Sequence, residues 1–298
     1  MIVGFGALNL DKIYMVDKIP GRDEEGYVID LEMHPGGSSA NTIAGLAVFG
    51  IKTSFIGKIG SDEEGRILLG DFIKRGVDTS GIVTAEGRSG VAMIFVDREG
   101  NRAILVDPGV NDTISIRDVR MELVEQAELV HMTSFICKNG LDSFRSQIEI
   151  SGMARGVSFD PGMPYVERGL KELEPILKNT TILLPNRMEM EMLFRMDYRD
   201  ASSHAIEMGA ETVAVKLGEK GCYVTDGRKE HFIKSFPSDP VDTTGAGDAF
   251  NAGFLYAWHK NKSLEECGRI GNFVAGRLIE RIGARSYDGI TPENGSRS

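Results

Sequence analysis

The sequence predicts an α/β fold: a mostly parallel central sheet, with a smaller antiparallel sheet set apart from it. Three observations carry this. Short apolar runs alternate with helical patterns along most of the chain, the rhythm of parallel βαβ units. One hairpin, around residues 97–101, breaks that rhythm. Near the C-terminus a glycine turn opens directly into an amphipathic helix, an arrangement that binds anions. The chain has 298 residues, enough for a large core, and α/β folds of this length are often one domain.

Residues 2–5 read as a buried first strand. Gly4-x-Gly6 follows the pattern of a dinucleotide-binding turn, but the third glycine position is Asn9 and no helix pattern follows, which argues against it. Asp11 lies just past that strand's C-terminal end, where open α/β sheets bind ligands. An ordinary turn aspartate fits there too. Residues 27–33 alternate as a strand. His34-Pro35-Gly36-Gly37-Ser38-Ser39-Ala40-Asn41 then leads into a helix over 42–49. Gly36 and Gly37 would let a ligand approach the backbone, and Asn41 offers a donor and acceptors suited to hydroxyls. Helix capping and tight packing of Ala44 and Ala47 would explain the same residues.

Residues 54–59 read as a strand, and Asp62-Glu63-Glu64 as a solvated first turn of the next helix. Strands over 90–96 and 102–106 flank the hairpin turn. With the strands near Tyr14 and Val28 they form the small sheet, which could cover a site and exclude water or be a plain extension. A helix over 117–126, a strand over 129–132, a helix over 141–154 and a strand over 157–159 resume the alternation. Asp160-Pro161-Gly162 again follows a strand end. After a short strand at 182–184, Asn186 and Glu189 lie three residues apart. On one face of a helix start they offer the oxygens Mg²⁺ prefers; the same spacing fits an N-cap with a capping box. A strand over 212–216 runs through Lys216 into Gly218-x-x-Gly221, a turn able to hold a nucleotide phosphate or ribose edge, or simply to connect to an antiparallel strand over 222–225. A helix over 265–280 carries Asn272, and Gly283-Ala284 closes it.

The most informative stretch is Val241-Asp242-Thr243-Thr244-Gly245-Ala246-Gly247-Asp248-Ala249-Phe250. Thr243 and Thr244 are residue types favoured as N-caps. Gly245 and Gly247 permit a sharp turn and close approach. Ala249, Phe250, Gly253, Phe254 and Ala257 recur at the spacing of one helix face. The free amides and positive dipole end of that helix make an anion site. Asp248 stands at its mouth. Beside a phosphoryl group it could take a proton from an attacking hydroxyl; a first-turn acid favoured by the dipole is the plainer reading.

Composition narrows the partners. With 34 basic and 44 acidic residues the formal charge is −10, a surface that repels nucleic acid and anionic membranes. A phosphate site must therefore be local. Cys137, Cys222 and Cys267 form no Cys-x-x-Cys pair, so neither a disulfide framework nor a zinc ribbon is expected. The first residues carry no basic leader before an apolar run, and no apolar stretch is long enough to span a bilayer. The expectation is a reduced, cytoplasmic enzyme with no nucleic-acid or membrane partner.

Asp-Thr-Thr-Gly-Ala-Gly-Asp-Ala-Phe closely resembles the C-terminal signature of the ribokinase-like, or phosphofructokinase B-type, carbohydrate kinases. The resemblance extends in order along nearly the whole chain: Asn9-x-Asp11, Gly36-Gly37-x-x-x-Asn41, Gly90-Val91-Ala92, Asn186-x-x-Glu189, Leu217-Gly218-x-x-Gly221 and the 242–248 string. It implies a three-layer α/β/α fold over 1–298 with lid segments about 11–31 and 88–106. It implies Asp248 as catalytic base, Gly245, Ala246 and Gly247 as the anion hole, and Asp11, Gly36, Gly37 and Asn41 as substrate-binding residues. Asn186 and Glu189 would organise Mg²⁺ and phosphate, Glu189 through water. Lys216, Gly218 and Gly221 would lie by the nucleotide and Asn272 near the adenine. Asp242 resembles an acid that in some members lies near a monovalent cation such as K⁺. A homodimer through the lid is common in the family.

Departures bear on the acceptor. Ribokinases usually carry Lys where this chain has Ser38, and a glutamate near the strand end that here reads Thr133-Ser134-Phe135. Apolar lid residues Ile13, Met15, Met93 and Phe95 would suit a nucleoside base if they face inward. Lys12, Arg102 and Lys138 are the candidates for holding a phosphosugar. The expected activity is ATP- and Mg²⁺-dependent phosphoryl transfer to a primary hydroxyl of a sugar. A nucleoside kinase and a non-catalytic sugar or nucleotide sensor are the alternatives.

Overall fold

The computed structural model describes residues 1–138 and 140–296. Its strands are β1 (Ile2–Phe5), β2 (Asn9–Val16), β3 (Val28–Gly36), β4 (Thr53–Gly60), β5 (Asp78–Ala85), β6 (Gly90–Val96), β7 (Arg102–Asp107), β8 (Leu129–Thr133), β9 (Val157–Asp160), β10 (Ile182–Leu183), β11 (Thr212–Lys216), β12 (Cys222–Thr225) and β13 (Glu230–Ile233). The large sheet runs β13-β12-β11-β10-β9-β8-β1-β4-β5. From β11 to β5 every pairing is parallel; β12 and β13 add an antiparallel edge. Purely parallel strands must be covered on both faces. Helices Ser38–Val48, Ala246–His259 and Leu264–Leu278 cover one, around Phe55, Phe254 and Val274. Helices Asp142–Ser151, Leu170–Leu177, Arg187–Phe194 and Tyr198–Glu207 cover the other, around Phe5, Phe159 and Tyr165. The result is the expected three-layer α/β/α arrangement.

The second sheet is four-stranded, in the order β3-β2-β6-β7. It is not wholly antiparallel as expected: β2 and β6 pair in parallel. The reason is topological. Each follows a strand of the parallel sheet, β1 and β5, and so each departs from the same end of it. β5 itself is unanticipated, because Asp78, Thr79, Ser80 and Gly81 carry little apolar signal at the sheet's edge. The helix expected over 117–126 is divided. A capping box between Ser115 and Asp118 closes a 3₁₀ turn, Val119 is extended, and the helix begins only at Met121. The helix expected from 42 starts at Ser38, which puts Asn41 in its first turn. Gly4 belongs to packing, since a Cβ there would lie 2.5 Å from Ile43 Cγ1. No helix among the described residues is long and apolar enough to cross a membrane.

The apolar face expected on the signature helix is buried throughout, with Phe254 fully so. Phe254→Ala should therefore cost about 3–5 kcal/mol in urea unfolding. Met153→Ala, at an exposed site, should change stability by less than about 0.5 kcal/mol. Equal losses for the two would contradict this placement of the core.

Candidate active site

The signature turn ends at Gly245, which sits in the left-handed region at φ 76° and serves as N-cap of the helix Ala246–His259. The expected threonine cap is absent: no side chain caps this helix. Thr243 contributes its carbonyl, which accepts from the Ala246 amide at 3.2 Å. The Gly247 and Asp248 amides find no acceptor among the described residues. Open first-turn N–H groups at the positive end of a helix are what an anion needs.

Asp248 projects from this first turn into a cavity of about 340 Å³ lined by Ser38, Asp160, Gly162, Asn186, Glu189, Lys216, Gly218, Gly247 and Asp248. Two donors from the helix Ser38–Val48 hold its carboxylate: Ser38 Oγ donates to Oδ1 at 2.6 Å and Asn41 Nδ2 to Oδ2 at 2.8 Å. Thr42 Oγ1 donates to the Asp248 carbonyl at 3.3 Å. Each carboxylate oxygen keeps a further lone pair for an incoming hydroxyl. Burial pushes the Asp248 carboxyl up to about 6, against the pull of the Ser38 and Asn41 hydrogen bonds. Gly37, at φ 100°, makes this approach possible: it caps the helix with its Cα against Ala7, where a Cβ would lie 2.3 Å from the carbonyl oxygen. In the Thr133-Ser134-Phe135 stretch, Thr133 is buried, its Oγ1 accepting from the Ser39 amide at 3.1 Å.

In the small sheet, Asp11 lies in register with His34 of β3 and Ala92 of β6. Gly36 leaves room for its carboxylate, which a Cβ would meet at 2.3 Å. Burial raises the Asp11 carboxyl to about 6; Arg285 opposes this and Asp248 adds to it. Alternation along the strands puts Ile13, Met15 and Ile94 on the face of Asp11. Met93 and Phe95 fall on the opposite face, with Tyr14 stacked on Phe95. Lys12 also points that way, to Glu64 at 2.6 Å. Of the apolar residues expected to face a ligand, then, only Ile13 and Met15 share the Asp11 face.

A second cavity, of about 620 Å³, adjoins the first through Lys216, Gly218 and Gly247. Gly221, Thr243, Ala246, Phe250, Asn272 and Gly276 are among its lining. Lys216 Nζ donates to Asp160 Oδ2 at 2.5 Å, and Asn251 Nδ2 donates to the same oxygen at 2.6 Å. Burial works against the Lys216 charge, but Asp160 and Glu189 more than offset it and raise its pKa. Asn186 and Glu189 form the capping box: Asn186 Oδ1 accepts from the Glu189 amide at 2.9 Å and Glu189 Oε2 from the Asn186 amide at 2.8 Å. Both also line the smaller cavity, so the capping box does not take them out of the site. Burial, with Asp160 adding to it, pushes the Glu189 carboxyl to about 7. Asn272 Nδ2 donates to the carbonyls of Ile233 and Lys234 at 3.0 and 3.1 Å, so it shapes the cavity wall. Asp242 lines neither cavity. Its oxygens accept from the Thr244 amide at 2.9 Å and the Gly283 amide at 3.0 Å, tying the signature loop to the C-terminal segment.

Sequence reasoning missed three members of this assembly. Ser38 was visible only as a departure from the ribokinase pattern, and Asp160 only as a polar residue after a strand end. Arg285 had no signal at all. It is buried, and its guanidinium donates to Asn41, Asp71 and Gly36.

Comparison with known proteins agrees with this geometry. The pfkB family carbohydrate kinase profile matches residues 1–289. A protein of Archaeoglobus fulgidus described as an uncharacterized sugar kinase is 62% identical over 241 residues, covering 81% of this chain and 96% of that one. An ATP-dependent ribose-1-phosphate kinase of Halopiger xanaduensis is 31% identical over 286 residues, covering 96% and 94%. The crystal structure of a Thermotoga maritima ribokinase superposes with a TM-score of 0.89 at 26% identity, covering 100% of this chain and 99% of that one. The chain belongs to the pfkB family of carbohydrate kinases.

Proposed function

We propose that this kinase transfers the γ-phosphoryl group of ATP to a primary hydroxyl of a sugar, with Asp248 as the base. One observation carries the reading: a carboxylate and uncapped helix amides open onto one small cavity, beside a larger one that fits a nucleotide. The acceptor oxygen attacks the γ-phosphorus as its proton passes to Asp248; the bond to the bridging oxygen breaks and ADP leaves. The amides of Gly247 and Asp248, with Lys216 behind them, stabilise the equatorial charge. Asp11 and Asn41 orient the sugar hydroxyls, and Gly218 and Gly221 border the nucleotide. The whole chain acts as one kinase unit, with β2, β3, β6 and β7 as a lid that keeps water from competing.

Asp160, Asn186 and Glu189, which line the small cavity, each carry side-chain oxygen, the ligand type of a Mg²⁺ site. Among the described residues no three acidic, histidine or cysteine side chains converge closely enough to cage an ion, so it would be held largely through its waters. When bound it would neutralise charge on the phosphates. A K⁺ site beside Asp242 is the weaker assignment, because both carboxylate oxygens already accept main-chain N–H groups.

A nucleoside acceptor is the second reading, favoured by Ile13, Met15 and Ile94 beside Asp11. The opposite lid face exposes Leu31, Met33 and Leu105, which suits a homodimer through the lid. Three free thiols fit a reducing compartment such as the cytoplasm.

ADP release with D-ribose, ribose 1-phosphate, fructose and adenosine tests the activity. Asp248→Asn should lower kcat about 10²- to 10⁴-fold with little change in ATP affinity; near-wild-type turnover would remove Asp248 as base. A base must be ionised to accept a proton. With its carboxyl near 6, kcat/KM should be present above that pH and fall about tenfold per unit below it. A profile flat down to about pH 5 would contradict the assignment.

A further inference from the structure

Asp248 cannot choose its own orientation. It hangs on Asn41, and an amide side chain can present either its oxygen or its NH₂ to a neighbour. The guanidinium of Arg285 settles which. Its Nε donates to Asn41 Oδ1 at 2.8 Å, so the Asn41 oxygen is taken and the NH₂ must face Asp248, which it meets at 2.8 Å. The same guanidinium donates through Nη2 to the Gly36 carbonyl at 2.8 Å and through Nη1 to Asp71 Oδ2 at 2.5 Å. Asp71 is held in turn by Arg75 Nε at 2.9 Å on its other oxygen. The fork also lies over the Phe72 ring, 5.2 Å from its centroid. Every contact has low exposure: Arg285 is 6% exposed and Asn41 5%.

We propose, on the kinase reading above, that Arg285 is a positioning residue for catalysis: anchored on Asp71, it locks the Asn41 amide and the Gly36 carbonyl so that Asn41 presents a donor to the base. Three bonds in three directions from one planar group require arginine; a lysine ammonium at that place is a point charge on a flexible stem. The lock reaches the two sides of the acceptor pocket at once, because Gly36 makes room for Asp11 and Asn41 holds Asp248. A buried cation beside these carboxylates also keeps Asp11 from rising further as an acid. Removing it costs more than a hydrogen bond, since Asp71 would be left with a single partner in a partly buried site.

The test is a double-mutant cycle on the full chain. It uses whichever of D-ribose, ribose 1-phosphate, fructose or adenosine the wild type phosphorylates. Arg285→Lys should lower kcat about 30- to 100-fold with the KM for ATP unchanged, the scale expected when a reacting group is misplaced by about 1 Å. In the Asn41→Ala background the same change should cost less than about tenfold, because the Asn41 route is gone and only the bond to the Gly36 carbonyl is left to lose. Asp71→Ala, which removes the acceptor of Nη1 while leaving arginine in place, should show the same pattern with a smaller loss, and it decides the matter if Arg285→Lys does not fold. Losses that multiply fully in the Asn41→Ala background, or a kcat that is unchanged in both variants, would overturn the proposal. A wild type that phosphorylates none of the four would instead count against the kinase reading itself.

Discussion

In the proposed reaction two negative groups meet, a carboxylate and a phosphoryl group, and the backbone at the end of one helix is what would offset the cost of that meeting. The chain carries no surplus of positive charge to spend on it. What it uses is the end of one helix. Because glycine rather than a capping side chain occupies Gly245, the first-turn amides stay open for an anion. The helix is held rigid by a fully buried face against Leu264–Leu278 and the sheet, so its end cannot move aside. Position and charge thus come from the backbone, and side chains supply the chemistry.

The α/β rhythm was legible because parallel strands buried on both faces leave apolar runs such as 129–132 and 212–216 that need no partner to be recognised. The motifs were legible because glycine turns and strand ends are local. The capping box does not take Asn186 and Glu189 out of the site: one carboxylate can close it and still line a cavity. Where local logic misled, tertiary context had the deciding role. Thr243 and Thr244 look like caps, but the chain turns at Gly245 with positive φ, and glycine, not a threonine side chain, stands at the cap. The small sheet's central pairing is parallel because of where β2 and β6 begin, which no property of either strand announces.

Arg285 shows the other limit. Its partners Asp71, Asn41 and Gly36 lie more than 200 residues away along the chain, at separations of 214, 244 and 249. A single arginine after Gly283-Ala284 reads as a surface charge, and only the folded arrangement turns it inward. Ser38 is a milder case: its identity stood out, but its hydrogen bond to Asp248 depends on two helices meeting at their N-termini.

Lys216 is the common wall of the two cavities, and its ammonium rests on Asp160. An anion arriving in the larger chamber competes for that ammonium and changes the field felt by carboxylates in the smaller one. Thermodynamic reciprocity then requires that whatever settles in the smaller chamber alter the grip on the anion by an equal factor. If, as proposed, the two chambers hold donor and acceptor, sharing one cation between them would couple the two without any moving part.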